Sequence, residues 1–226
     1  MARKKTLRLK GIVEDLNVLE AFEKLQVNIN LSSVDKKLQV IQVTSSLQDE
    51  GKTTVAVNLA YSYARKDKKV LVIDLDIRRP KVHRNFNQPN ENGIVDYAAG
   101  KIGANQLIKK TNYNVDIILS GSKTPYPTKI LESEKLAELI NSLREKYDYI
   151  IVDTPPVSAV VDPLVVSSLC DGLLFVVEAE RTKKSFVKES IKQLENINVN
   201  IIGLVLQSVR DKYSKYSYKY YYTDDQ

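Results

Sequence analysis

Short, almost uninterrupted apolar runs rich in β-branched residues alternate along this chain with longer stretches of different periodicity. The runs Leu38–Thr44, Val70–Asp74, Val115–Leu119, Tyr149–Asp153, Gly172–Val177 and Ile201–Leu206 predict strands. In Lys52–Lys66, Lys129–Lys146 and Thr182–Asn196 apolar residues recur every three or four positions, which predicts helices. Glu14–Leu31 predicts one more helix ahead of the first strand. Strands without internal alternation are buried on both faces, so the pattern predicts an α/β fold with a mostly parallel sheet and helices on both sides. Ligands of such sheets bind outside the carboxyl ends of the strands.

Composition narrows this picture. At 226 residues, with 43% hydrophobic and 27% charged residues, the chain suits one large domain with a full core. Its single cysteine, Cys170, forms no internal disulfide framework and is expected to be a small core residue. No apolar run is long enough to cross a bilayer and no secretory signal precedes the first strand, which predicts a soluble intracellular protein. The net charge of +6 is unevenly placed: residues 1–10 carry five basic groups and no acid, so the other 216 residues sum to only +1. That is a basic arm on a nearly neutral body: a solvated terminal arm is the first reading, attraction to anionic lipid or an acidic partner the second, and nucleic acid is disfavoured. The expected organisation is an arm over 1–13, a domain over 14–210 and a mobile tail over 211–226. After Val209 there is no Val, Ile, Leu, Phe or Met, yet six of the thirteen tyrosines occur there.

Three polar motifs end three of the predicted strands. The first, Thr44-Ser45-Ser46-Leu47-Gln48-Asp49-Glu50-Gly51-Lys52-Thr53-Thr54, lies between a strand and a helix. A phosphate-binding loop needs inward backbone N–H groups, a lysine for the β/γ-phosphates and a hydroxyl for Mg²⁺. Gly51, Lys52 and Thr53 meet those needs, although Ser46 stands where the usual pattern has its first glycine. In the second, Asp74-Leu75-Asp76-Ile77-Arg78, two acids spaced by two are expected on one side of a strand end, able to hold Mg²⁺ and take a proton. The third, Asp153-Thr154-Pro155-Pro156, closes an apolar strand with an acid that burial would penalise unless it met a cation. Together they predict a P-loop NTPase-like fold that binds a Mg²⁺–nucleotide.

With these motifs and the tyrosine-rich end, residues 14–226 resemble the bacterial tyrosine kinases of capsule and exopolysaccharide synthesis. The resemblance implies ATP and Mg²⁺ as cofactors and a nucleotide site formed by Ser46, Gln48, Asp49, Glu50, Gly51, Lys52, Thr53, Thr54 and Gln207. Thr53, Asp74 and Asp153 would organise the metal, with Lys52 on the phosphates. Asp74 would also stand at the attacking hydroxyl, and Asp76 would be the base. The implied phosphoacceptors are Tyr213, Tyr216, Tyr218, Tyr220, Tyr221 and Tyr222, modified in the same molecule or a neighbouring one. The resemblance further implies a homo-oligomer, a membrane-anchored activator of the polysaccharide co-polymerase type, a cognate tyrosine phosphatase and a cytoplasmic location at the inner face of the membrane.

The chain also departs from that family. Its first helix carries Glu20-Ala21-Phe22-Glu23-Lys24-Leu25-Gln26, without the two arginines the family uses for ring-shaped assembly. Gln207 stands where the family tends to have asparagine near the base, and Tyr126 lies between Pro125 and Pro127 where asparagine is expected. The basic run Arg78, Arg79, Lys81 and Arg84 is expected as a solvated lip, with His83 in a capping or contact role. Two other readings stay open: a positioning ATPase of the partition or septum-site type, and a nucleotide-gated scaffold for polymer export. The tail's alternating tyrosines also allow an edge strand or stacking on single-stranded nucleic acid.

Overall fold

A computed structural model describes residues 11–32 and 38–208; the basic arm over residues 1–10 and the tail tyrosines Tyr213 to Tyr222 lie outside the described residues. Six strands form one sheet: β1 (Val40–Ser45), β2 (Val70–Asp74), β3 (Val115–Ile118), β4 (Tyr149–Asp153), β5 (Gly172–Glu178) and β6 (Ile201–Gln207). Their order is β3-β2-β4-β1-β5-β6, and each neighbouring pair is parallel. Every residue of β1, β2, β3 and β5 is buried, which is why their sequences read as continuous apolar runs. The expected strands are all present, with ends displaced by two residues at most.

One face is covered by α1 (Leu16–Leu31) and α2 (Lys52–Ala64). Phe22, Ile29, Val55, Leu59 and Tyr63 pack there against Ile41, Val43, Val72, Ile151 and Val176. Leu59 is fully buried, and its truncation to alanine would cost about 2–5 kcal/mol. The short helices α3 (Val82–Asn85) and α4 (Ile94–Ala98) follow β2. On the other face α5 (Pro127–Leu131) and α6 (Glu134–Arg144) join α4 over Leu71, Ile73, Ile150 and Val152. Next to them α7 (Asp162–Ser167) and α8 (Lys184–Glu195) cover Leu173, Phe175 and Val177. None of the helices among the described residues is long and apolar enough to cross a membrane.

One helix expectation needs correction, and three short helices were not foreseen. The single helix foreseen over Lys129–Lys146 is two, because Ser133 has extended backbone and accepts a hydrogen bond from the Leu136 N–H to start α6. The helices α3, α4 and α7 have four to six residues, too few to establish a period that sequence can reveal.

Sheet order is what builds a site. The three polar motifs follow β1, β2 and β4, which are adjacent in space though far apart in sequence. Register aligns Asp153 with Val43 on one side and with Asp74 on the other. Two carboxylates therefore end up side by side beneath the start of α2.

Candidate active site

The loop after β1 meets α2 at Gly51, whose φ of 89° is a left-handed conformation open to glycine. A side chain there would also press on Gln207, with an added Cβ 3.2 Å from its Cγ. Lys52 and Thr53 open α2 and are buried, at 5% and 7% exposure, which is unusual for a lysine without a partner. That partner is Asp76: Lys52 Nζ donates to its Oδ2 at 3.0 Å. Burial pulls the Lys52 pKa down, but Asp153, Asp76 and Asp74 outweigh it and hold the ammonium above its usual range.

Asp153 is completely buried. Its Oδ2 accepts from Thr53 Oγ1 at 2.6 Å, while its Oδ1 has no hydrogen-bond partner among the described residues. Burial, reinforced by Asp76, pushes its pKa up to about 6 against the pull of Lys52. An orphaned, desolvated carboxylate oxygen beside a buried hydroxyl fits Mg²⁺, which a protein holds through one or two carboxylates while phosphates and water complete the octahedron. Among the described residues no three His, Cys, Asp or Glu side chains converge as a metal cage.

Asp74 is arranged differently from its neighbour. Its Oδ1 accepts from the Asp76 N–H at 3.1 Å, and its Oδ2 from the N–H groups of Lys81 and Val82 at 3.1 and 3.0 Å. It thereby organises the loop after β2 and the start of α3. Burial and the Asp153 charge still raise its pKa well above the carboxylate range. The strand ends at Asp74, so Asp76 is not on the strand as expected but on the following turn, where its Oδ1 accepts from the Arg79 N–H at 3.0 Å.

Two cavities meet at Lys52. One, about 480 Å³, is lined by Asp49, Glu50, Gly51, Thr53, Thr54 and Gln207, with Lys81, Arg84 and Asn85 at its side. The other, about 150 Å³, lies toward Asp76, between the polar side chains of Gln48, Arg78 and Arg79 and an apolar wall of Pro155, Pro156, Ala159 and Val160. Of the expected nucleotide residues, Glu50 to Thr54, Asp49 and Gln207 line the larger cavity. Gln48 lines the smaller one and accepts from Arg79 Nη1 at 2.5 Å. Ser46 lines neither: it is buried, its hydroxyl lacks a partner among the described residues, and its carbonyl accepts from Ser158.

The basic run does border both cavities, with Arg78, Arg79 and Arg84 exposed, but two of its members are tied into the fold. Arg78 forms a bidentate pair with fully buried Asp162 at the start of α7, with Nε to Oδ2 at 2.7 Å and Nη2 to Oδ1 at 3.2 Å. Thr128 of α5 donates to the same carboxylate at 2.9 Å. Lys81 reaches Asp49 of the phosphate loop at 2.5 Å and lowers its pKa. His83 lies within α3 rather than at its cap, and its Nδ1 is buried without a partner among the described residues. Cys170 is half-buried and donates to the Val166 carbonyl. Tyr126 is exposed beside Lys129, and the structure gives no reason for its identity. Sequence reasoning missed Asp162, Glu178, Arg181 and Thr182. Glu178 ends β5 and Arg181 and Thr182 follow it, at the carboxyl end where the general rule for parallel sheets directs attention.

Comparison with known proteins agrees with this arrangement. A family model described as an AAA domain matches residues 38–202. The putative tyrosine-protein kinase CapB of Staphylococcus aureus is 32% identical, the alignment covering 100% of both chains. Tyrosine-protein kinase YwqD of Bacillus subtilis is 33% identical over 91% of this chain and 87% of its own. The solved kinase domain of the Escherichia coli tyrosine kinase ETK superposes with a TM-score of 0.81 at 31% identity, covering 90% of this chain and 83% of that one. The sheet order, the lysine-bearing loop and the two acids facing it thus occur in a chain aligned almost end to end with such enzymes, and it belongs to the bacterial tyrosine-protein kinases.

Proposed function

We propose that the protein transfers the γ-phosphate of Mg²⁺-ATP to tyrosines of its own C-terminal cluster, between neighbouring copies, within a capsule or exopolysaccharide assembly system. The observation that carries this reading is the second cavity. A space of about 150 Å³ is large enough for a benzene ring. One wall is apolar and Asp76 is among the polar residues lining the rest, which suits a phenol better than a lone water. A hydrolase needs no such aromatic-sized chamber beside its phosphate site.

The division of labour follows from the contacts. The start of α2 and the amides of the loop bind the phosphates, aided by the positive end of the helix. Lys52 moves its ammonium from Asp76 to the β/γ-phosphates. That move leaves Asp76 free to accept the proton of a tyrosine hydroxyl, whose ordinary pKa near 10 keeps it protonated otherwise. Thr53 and Asp153 would hold Mg²⁺, which supplies charge neutralisation on the transferring phosphoryl group. Asp74 keeps the Asp76 turn in place through its three backbone contacts and stands beside Asp153, next to the metal position. Gln207 borders the opposite side of Gly51, toward the rest of the nucleotide.

The partners consistent with this reading are a homo-oligomer that offers tails in trans, a membrane-anchored activator of the polysaccharide co-polymerase type and a tyrosine phosphatase. Such an activator would hold the protein at the cytoplasmic face of the membrane. Intact-mass and phosphosite analysis after incubation with Mg²⁺-ATP tests the core of it. Phosphate on Tyr213 to Tyr222 is expected in the wild type and not in Lys52→Met. A tail that stays unmodified while ATP is consumed, even with the activator's cytosolic segment present, would leave an ATPase instead.

A further inference from the structure

The phosphate loop faces a conformational problem that its sequence does not solve. From Ser46 to Gly51 the single glycine is Gly51 itself, yet Asp49 also adopts a left-handed backbone with φ of 62°. That region is disfavoured for residues with a side chain, aspartate being among the more tolerant. The connection after β5 grips this turn from outside. Arg181 Nη1 donates to the Asp49 carbonyl at 2.9 Å and its Nη2 to the Gln48 carbonyl at 3.3 Å. Glu178 holds the same guanidinium at 2.5 Å. Next to it, the Thr182 hydroxyl donates to Glu50, whose other oxygen accepts from the Leu47 N–H at 2.6 Å.

The consequence is geometric. Across a planar trans peptide the C=O and the following N–H point in opposite directions. A guanidinium that draws the carbonyls of Gln48 and Asp49 outward turns the N–H groups of Asp49 and Glu50 inward, toward the larger cavity. Arg181 itself lines neither cavity, so it acts through the loop and not on a ligand. We infer that Arg181, oriented by Glu178 and supported by the Thr182–Glu50 contact, is a positioning residue that locks the phosphate loop into its anion-accepting curve, doing for Asp49 what a glycine would do unaided. The inference rests on the nucleotide reading of the site.

Titration of the full chain with Mg²⁺-ADP tests it without requiring phosphoryl transfer. Arg181→Ala should weaken ADP binding roughly tenfold, the scale of one or two charge-assisted hydrogen bonds, and raise KM for ATP while kcat at saturation stays near wild type. Thr182→Val should weaken it less. The melting temperature of the ligand-free protein should hold, since the Arg181 side chain is 43% exposed. The decisive arm is a double-mutant cycle: measured against Asp49→Gly, which itself gives up the Lys81 contact, Arg181→Ala should cost far less affinity than it does in the wild type, because glycine enters the left-handed turn without help. Unchanged ADP affinity in Arg181→Ala, or losses that merely add in the double variant, would overturn the clamp while leaving the nucleotide site intact. If the wild type bound no ADP, the nucleotide reading would fall, and the clamp with it.

Discussion

Two acids at opposite ends of the sheet are treated in opposite ways. Asp171 precedes β5 at the amino end, where the fold satisfies it completely. Its Oδ2 accepts from the N–H groups of Gln39 and Val40 at 2.9 and 2.8 Å and from Arg144 Nη1 at 2.8 Å, and its Oδ1 accepts from Arg144 Nη2 at 3.0 Å. Burial alone would raise its pKa, but the Arg144 guanidinium and the two amides bring it below the usual carboxylate value. Asp153 closes β4 at the carboxyl end with one hydroxyl contact and one bare oxygen, and its pKa rises to about 6. An acid whose acceptors are filled by its own chain stabilises the fold. The acid left with a bare oxygen is the one that the proposed function gives to Mg²⁺.

The comparison predicts opposite phenotypes. The largest effect should come from Asp153→Asn, which removes the charge but keeps the shape. Tail phosphorylation should fall about 10²–10³-fold or more, as when a transition-state contact is lost. Stability of the ligand-free protein at pH 7.5 should hold or rise, because an unpaired buried charge disappears. Initial rates alongside thermal melts separate the two. Marked destabilisation with retained activity would show that the contrast had been drawn the wrong way round.

Asp171→Ala should do the reverse. It strands Arg144 and two amides, so unfolding in urea should come about 2–4 kcal/mol sooner. Phosphorylation per folded molecule should remain, since the change lies at the far end of the sheet from Lys52. A variant that stayed as stable as the wild type would remove Asp171 from the structural side of the comparison.

The smallest expected effect is in pH dependence. A carboxyl whose folded pKa is raised binds more protons folded than unfolded, so its contribution is present below the unfolded value near 4 and is lost as pH rises through about 6. The stability of the wild type minus that of Asp153→Asn should therefore decline between those values, by about 2–3 kcal/mol at most. Saturating Mg²⁺ and ADP should reverse the decline. Urea midpoints of the two proteins across pH 4 to 8 provide the check, and a flat difference curve would place Asp153 in a satisfied environment like that of Asp171.

Much of this was open to a reader of the sequence alone. Val70-Leu71-Val72-Ile73 reads as a buried strand, and Gly51-Lys52-Thr53 after a strand reads as the opening of a helix, as both prove to be. The tandem helices over Pro127–Leu131 and Glu134–Arg144 were harder to see, because the apolar period runs on through the break at Ser133. Asp76 shows the limit most clearly. Spacing by two suggested a shared strand face with Asp74, but β2 ends first and the turn carries Asp76 to Lys52. The partners Arg78 and Asp162 are 84 residues apart, and Arg181 reaches Gln48 across 133. Nothing local joins either pair.

The sequence by itself determined the order of elements, the burial of the strands and the residue types offered at their carboxyl ends, since these depend on the period of apolar positions and on local turn chemistry. Tertiary structure decided which of those residues meet. Electrostatic pairing and desolvation act over a few ångströms. Those ångströms are set by the placement of β4 between β2 and β1, with Asp153 brought level with Asp74 and within hydrogen-bond reach of Thr53. Folding closes every hydrogen bond of Asp171 but leaves Asp153 one oxygen short, a difference that emerges only when distant strands lie side by side.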